Sequence, residues 1–182
     1  MTGQFHDVFR RNERDFDIVG VSGGELFAPA EHGLTPFPTC SACWRGYLAH
    51  YAIRDDRLVL ERLDVSLGHR DATGFHSDAG PAIHGVRPTR PTETDALFNN
   101  RYSALDLPIA FSGRILIGTG FIQELYVHMG FQPAWRYRSV FELTFERGRL
   151  LEERDVSARM EELRREEKRI KHGDTEYTET EG

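Results

Sequence analysis

Cysteine is scarce in this chain: there are two among 182 residues, Cys40 and Cys43. Two cysteines so close together cannot build a disulfide framework, so a reducing, cytoplasmic compartment is expected. Their Cys-x-x-Cys spacing is half of a zinc site with no second half, and it leads into a strand rather than a strand-to-helix junction. Neither a metal ion nor any cofactor is expected on that basis. Long apolar runs are also missing, none approaching the ~18 residues of a membrane span, so no membrane partner is expected. The stretch from Met1 to Asp15 has no apolar segment of the secretory kind. Lysine is nearly absent: Lys168 and Lys171 are the two, and every other basic side chain is arginine. The formal charge is −6, of which Asp174, Glu176, Glu179 and Glu181 supply four negatives, so the body is close to neutral. Without a basic face, nucleic acid is not an expected partner.

What the chain has in quantity is strand pattern. Cys40–Ser66 reads as a β-hairpin entered through Cys43-Trp44-Arg45, with Tyr47, Ala49, Tyr51 and Ile53 facing one way. A degraded copy runs from Trp135 to Ser157. Asp64-Val65-Ser66 matches Asp155-Val156-Ser157 at an offset of 91, and Tyr51-Ala52-Ile53 matches Leu143-Thr144-Phe145 at an offset of 92. The first copy therefore has one extra residue. Its apolar phase changes between Leu60 and Leu63, which predicts a β-bulge near Glu61-Arg62. Leu150 and Val156 stay on one phase, so the second copy needs none. Asp55-Asp56 and Arg147-Gly148 are the expected turns.

The remaining chain reads as follows. Residues 4–14 carry Phe5, Val8 and Phe9 at helical spacing, and Phe16–Val21 reads as a strand ending at Gly23-Gly24. Residues 67–100 are dense in Gly and Pro and read as a long loop, acting as tether or lid or lacking order. Strands are expected at Leu107–Phe111 and Arg114–Ile117, with Gly118-Thr119-Gly120 as their end. Phe121–His128 has helical spacing. Ser157 is placed to cap a final helix over Ala158–Lys171 with a thin stripe of Met160, Leu163 and Ile170. The fold class is thus β-rich α+β: two sequence-related hairpin units forming one barrel or sandwich, with a C-terminal helix. Residues 1–172 form a single domain with halves at about 16–66 and 102–157, and 173–182 are a disordered acidic tail.

The echo extends upstream and supplies the candidate site. Glu25 and His32 precede Trp44-Arg45, and Glu124 and His128 precede Trp135-Arg136, in the same order. If two halves converge on a cleft, carboxylate and imidazole can move protons, and Arg with Trp can hold a planar anion. His69, Asp71, His76, Asp78 and His84 match no metal spacing and read as a solvated polar loop. The expected function is a soluble, non-catalytic binding or interaction module of accessory or immunity-like character, taking a small anionic ligand or a protein partner. The alternative is a small hydrolase or lyase working in the His/Glu/Arg cleft.

Overall fold

A computed structural model of the chain describes residues 3–92 and 97–173. Of the expected acidic tail, 173–182, residue Gly173 ends the C-terminal helix and the rest lies outside the described residues. Eleven strands and one long helix follow in order. They are β1 (Val8–Arg11), β2 (Arg14–Ser22), β3 (Tyr47–Arg54), β4 (Arg57–Val65), β5 (Gly68–Asp71), β6 (Gly74–Ser77), β7 (Asn100–Tyr102), β8 (Leu107–Pro108), β9 (Gly113–Phe121), β10 (Tyr137–Glu146), β11 (Arg149–Asp155) and α1 (Ser157–Gly173). The main sheet is mixed. Its order is β11-β10-β9-β2-β1-β3-β4-β7, with β8 also on β4, and β11 pairs β4 as well, so the path returns to where it began. Among the strand pairings of the described residues β1–β3 alone is parallel, and an isolated bridge between Gly3 and Gly130 is parallel as well. β5 and β6 form a separate two-stranded sheet.

Three hairpins close through two-residue turns with positive φ at both positions: Asn12-Glu13, Asp55-Asp56 and Arg147-Gly148. This geometry matches the right-handed twist of paired strands. Two of these turns follow the sequence reading. The first corrects it, since residues 4–14 are not helical. Phe9 is fully buried and pairs with Phe16 across β1–β2, while β1 lies along β3. Tertiary pairing overrides a short helical spacing that only three apolar residues support.

The inward sides of these strands make the core. Phe9, Tyr51, Leu58, Leu60, Leu63, Ile115, Ile117 and Leu143 are all essentially inaccessible. Each fully buried side chain of this size contributes roughly 1.5–3 kcal/mol. The predicted bulge is present: His50 pairs with Arg62 and Tyr51 with Leu60, leaving Glu61 unpaired. This slip keeps Leu60 and Leu63 both inward. The second hairpin also bulges, contrary to expectation. Thr144 pairs with Glu152 and Phe145 with Leu150, so Leu151 is extra and stands exposed. Leu150 and Leu151 are identical, and that identity hides the change of phase.

Other segments depart from the sequence reading for physical reasons. β9 continues through Gly118 to Phe121 because Gly118 serves packing: a Cβ there would lie 2.9 Å from the Tyr137 ring. The strand expected at Leu107–Phe111 is reduced to Leu107–Pro108, since proline cannot donate to a ladder. Phe121–His128 holds only a single 3-10 turn, Gln123–Leu125. Residues 67–100 are not one loop. They contain β5 and β6 and are tied down by Asn99 and Asn100, whose amides donate to the carbonyls of Leu67 and Asp78. Ile83 is buried in the same stretch. In α1, Met160 and Leu163 pack toward β10, whereas Ile170 is exposed. Ser157 does not cap α1; its hydroxyl accepts from Val140 N–H, and Asp155 accepts from Ser157 N–H.

One carboxylate joins three strands. Asp64 on β4 is 2% exposed and accepts from Arg62 Nε and Arg101 Nε, each at 2.7 Å, with His50 Nε2 at 3.3 Å. Burial pushes its carboxyl up, but His50, Arg101 and Arg62 outweigh burial and hold it below the usual carboxylate range. A depressed native value means this stability is present above the unfolded-chain value and is lost as pH falls through the native one. Asp64→Ala should cost about 1–3 kcal/mol at neutral pH, because it removes charge-assisted hydrogen bonds while the arginines, 38% and 25% exposed, keep access to water. In urea denaturation, the gap between wild type and variant should narrow between about pH 5 and pH 3. An unchanged gap across that range counts against the assignment.

Candidate functional site

The N-terminal segment Gly3–Asp7 is a strap across one end of the sheet. Gln4 N–H donates to Gly130 O at 2.8 Å, and Phe5 N–H donates to Ala42 O at 2.9 Å. The Gln4 side chain donates to Ser41 O and accepts from Trp44 N–H. Gly3 N–H donates to the Tyr126 hydroxyl. Residues 41–45 and 126–131, far apart in sequence, are thereby held side by side.

His6 and Asp7 fix this assembly. The Asp7 carboxylate accepts from both terminal nitrogens of Arg45, each at 2.8 Å, and from Ala49 N–H at 2.9 Å. Burial disfavours the Arg45 charge, but Asp7 more than offsets it and raises the guanidinium above its ordinary value. Arg45 also lies over the rings of Tyr47 and Phe131, at 4.7 and 5.6 Å from their centroids. His6 Nε2 accepts from Gln132 N–H at 3.1 Å, so the proton sits on Nδ1, which donates to Ile18 O at 2.8 Å. Buried Gln132 in turn donates to Val127 O and accepts from Arg136. The imidazole thus latches loop 126–132 to β2.

The Cys40–Cys43 stretch is a tight turn that presents Trp44. Cys43 N–H donates to Cys40 O, and Gly46 follows at φ 71°. A side chain at Gly46 would sit 2.2 Å from Phe37 O, so both the backbone angle and the space demand glycine. Cys43 is buried, and burial pushes its thiol up, away from reactivity.

Around the strap the surface is apolar. Trp44 is 63% exposed, Met129 57% and Phe131 48%, with Phe5, Val21, Tyr126 and Val127 also exposed. These are seven of the eleven exposed large hydrophobic residues of the described chain, so they are concentrated rather than scattered. A depression of about 280 Å³ opens among them, lined by His6, Asp7, Val21, Arg45 and Phe131.

Comparison with protein-family models, curated proteins and solved structures finds no match. The chain's own geometry therefore carries any reading of the site.

The eight residues singled out from sequence are distributed over several places. Glu25 and His32 line a separate depression of about 210 Å³ with residues 107–111, and His32 stacks on Phe27 at 5.0 Å. Trp44 lines a shallow surface with Pro38 and Cys40, and Arg45 lines the strap depression. Glu124 and His128 are exposed, with His128 edge-on to Tyr126. Trp135 and Arg136 lie beneath α1. Arg136 is buried, 4.7 Å from the Trp135 ring centroid, and its Nε has no hydrogen-bond partner. Burial lowers its pKa. Trp44, Arg45 and His128 share the strap end, whereas no described cavity is lined by both His32 and His128. His6, Asp7, Met129 and Phe131 join the site without a sequence signal, since their partners lie up to 126 residues away.

His6→Phe keeps the ring's packing and removes both hydrogen bonds. It should destabilise the chain by about 1–3 kcal/mol. It should also speed amide exchange at Gln132 and its loop while leaving Tyr51 and Leu63 protected. Uniform acceleration across the sheet would show that His6 is not a local latch.

Proposed function

We propose that the protein is a non-catalytic interaction module that receives a protein partner on the apolar surface around the N-terminal strap. The exposure of Trp44, Met129 and Phe131 on the two segments that the strap holds together, with Phe131 lining a small depression, carries this reading. Small-ligand pockets run from about 300 to 1,000 Å³. A space of about 280 Å³ suits one anchoring side chain better than an enclosed ligand. Arg45 does not favour a free anion, because both its terminal nitrogens are already bonded to Asp7. The same pairing removes the nearest cation, and the chain carries net negative charge, so an anionic lipid surface is a poor match.

We further infer that the returning sheet is a barrel built from two related hairpins. The seam supports this. Arg57 pairs with Arg149, Leu58 N–H donates to Gly148 O, and Leu150 N–H donates to Asp56 O. At the offset of 92 read from sequence, these two bonds are images of each other. Such bonds flank any antiparallel pair of this kind; what a pseudo-two-fold axis through the seam accounts for is that the paired residues, Arg57 and Arg149, are equivalent positions at that offset.

The test uses the full chain with a photoreactive phenylalanine analogue at position 129, and at 151 as a control. A discrete protein adduct from 129, absent at 151, is expected. Trp44→Ser should reduce it by about tenfold or more, the effect of losing a central aromatic anchor. Equal adducts at both positions, or adducts indifferent to Trp44→Ser, overturn the reading. An adduct at twice the chain mass makes a second copy the occupant, and vesicle binding lost in Trp44→Ser makes it a membrane; either replaces the proposal.

A further inference from the structure

A second surface, separate from the strap, has its own chemistry. The motif His-x-Asp occurs twice, at His69-Arg70-Asp71 and His76-Ser77-Asp78. β5 and β6 pair so that His69 lies directly opposite His76. Side chains alternate along a strand, so Asp71 shares the face of His69, and Asp78 follows on the phase of His76. The opposite face carries Phe75, packed on Phe37 with ring centroids 4.4 Å apart. One side of the hairpin thus anchors it to the body, and the other side gathers two imidazoles and two carboxylates.

The hydrogen bonds fix the protons. His69 Nδ1 lies 3.0 Å from Asp78 Oδ2, and a carboxylate only accepts, so Nδ1 carries the proton. Thr73 donates its hydroxyl proton to Asp71 at 2.6 Å, so its oxygen accepts from His76 Nε2 at 2.8 Å. Asp71 lies 3.1 Å from the same nitrogen, which therefore also bears a proton. The Thr73 hydroxyl and amide hold the Asp71 carboxyl below its usual range and keep it ionised. The lone pairs are left on His69 Nε2 and His76 Nδ1. The rings stack at 5.2 Å with 20° between planes.

We propose that this face binds a divalent late first-row transition-metal ion, such as Zn²⁺ or Ni²⁺, through the imidazoles of His69 and His76. An imidazole whose second nitrogen donates to a carboxylate is the usual form of a metal-binding histidine. Here that arrangement occurs twice, on directly paired residues. Imidazole ligands select zinc, nickel and copper over magnesium and calcium. Among the described residues no three His, Cys, Asp or Glu side chains stand ready to hold one ion. The ion therefore takes two protein ligands and completes its shell with water. The side chains of His69 and His76 are 59% and 45% exposed, so an ion in solvent can reach the free nitrogen of each ring while the carboxylates hold the other. Ion pairs this exposed contribute little to stability, about 0–1 kcal/mol, so holding the hairpin together does not account for the doubled motif.

The test is isothermal titration of the full chain with Zn²⁺ and with Ni²⁺, in a buffer that does not coordinate them. A single ion per chain is expected. His69→Ala or His76→Ala should weaken binding at least tenfold, and Asp71→Asn or Asp78→Asn by about 10–100-fold. His84→Ala and His128→Ala should leave it unchanged. Phe75 and Asn99 hold the hairpin independently, so these variants should keep their fold. In case one does not, the wild-type histidine ¹⁵N spectrum gives a second reading: added Zn²⁺ should move the His69 and His76 ring signals and no others. No binding up to millimolar metal, undiminished binding in the double alanine variant, or shifts confined to other histidines would each overturn the proposal.

Discussion

The Asp7 carboxylate is the point on which the rest of the molecule depends. It accepts three N–H groups, two from Arg45 and one from the backbone of β3. The strand that follows it, β1, is the one that lies parallel to β3, a pairing with no tight turn to enforce it. The carboxylate sets that pairing by bonding to Ala49 just ahead of the ladder. It also pins the Arg45 side chain between Tyr47 and Phe131, so the sheet's register and the strap's surface are settled by one group. His6, the preceding residue, carries the same constraint across to β2 and loop 126–132.

The scarcity of lysine takes on a physical meaning here. Arg45 needs a planar fork to bind both Asp7 oxygens. Arg164 uses one terminal nitrogen to reach the carbonyls of Trp135 and Tyr137 together. Arg62 and Arg101 approach opposite oxygens of buried Asp64 through Nε. Arg136 places its guanidinium over an indole, 4.7 Å from the ring centroid. A point-like ammonium could satisfy none of these geometries as well. The arginines hold surfaces and strand ends in place, so their number does not indicate an anionic ligand.

The hairpins β3–β4 and β10–β11 were legible because strict alternation, a turn and a second alternation sit next to each other in sequence. The Glu61 bulge was legible because Leu60 and Leu63 cannot both face inward without it. The Leu151 bulge was not, since two adjacent leucines conceal the slip. β2 was legible at Phe16–Val21, but β1 was missed because it spans only four residues and its parallel partner, β3, lies some forty residues away. Of the site, Trp44 and Arg45 stood out by their place at the hairpin entrance. His6, Asp7 and Phe131 did not, since nothing local distinguishes them. The two His-x-Asp motifs were visible as composition, but their meaning came from the pairing of His69 with His76, which an unassigned loop could not reveal.

The seam between β4 and β11 is short, with one residue pair and a reciprocal pair of hydrogen bonds. Fraying of the ring is therefore easiest there, and the product is a sheet with two free borders. Such borders invite neighbouring molecules to add strands and grow into aggregates. β11 meets this hazard with its composition: Glu152, Glu153 and Arg154 place charge along most of its length. The border of β4 is already occupied by β7 and β8 along much of its course. An opened seam would therefore present borders that are charged or already covered.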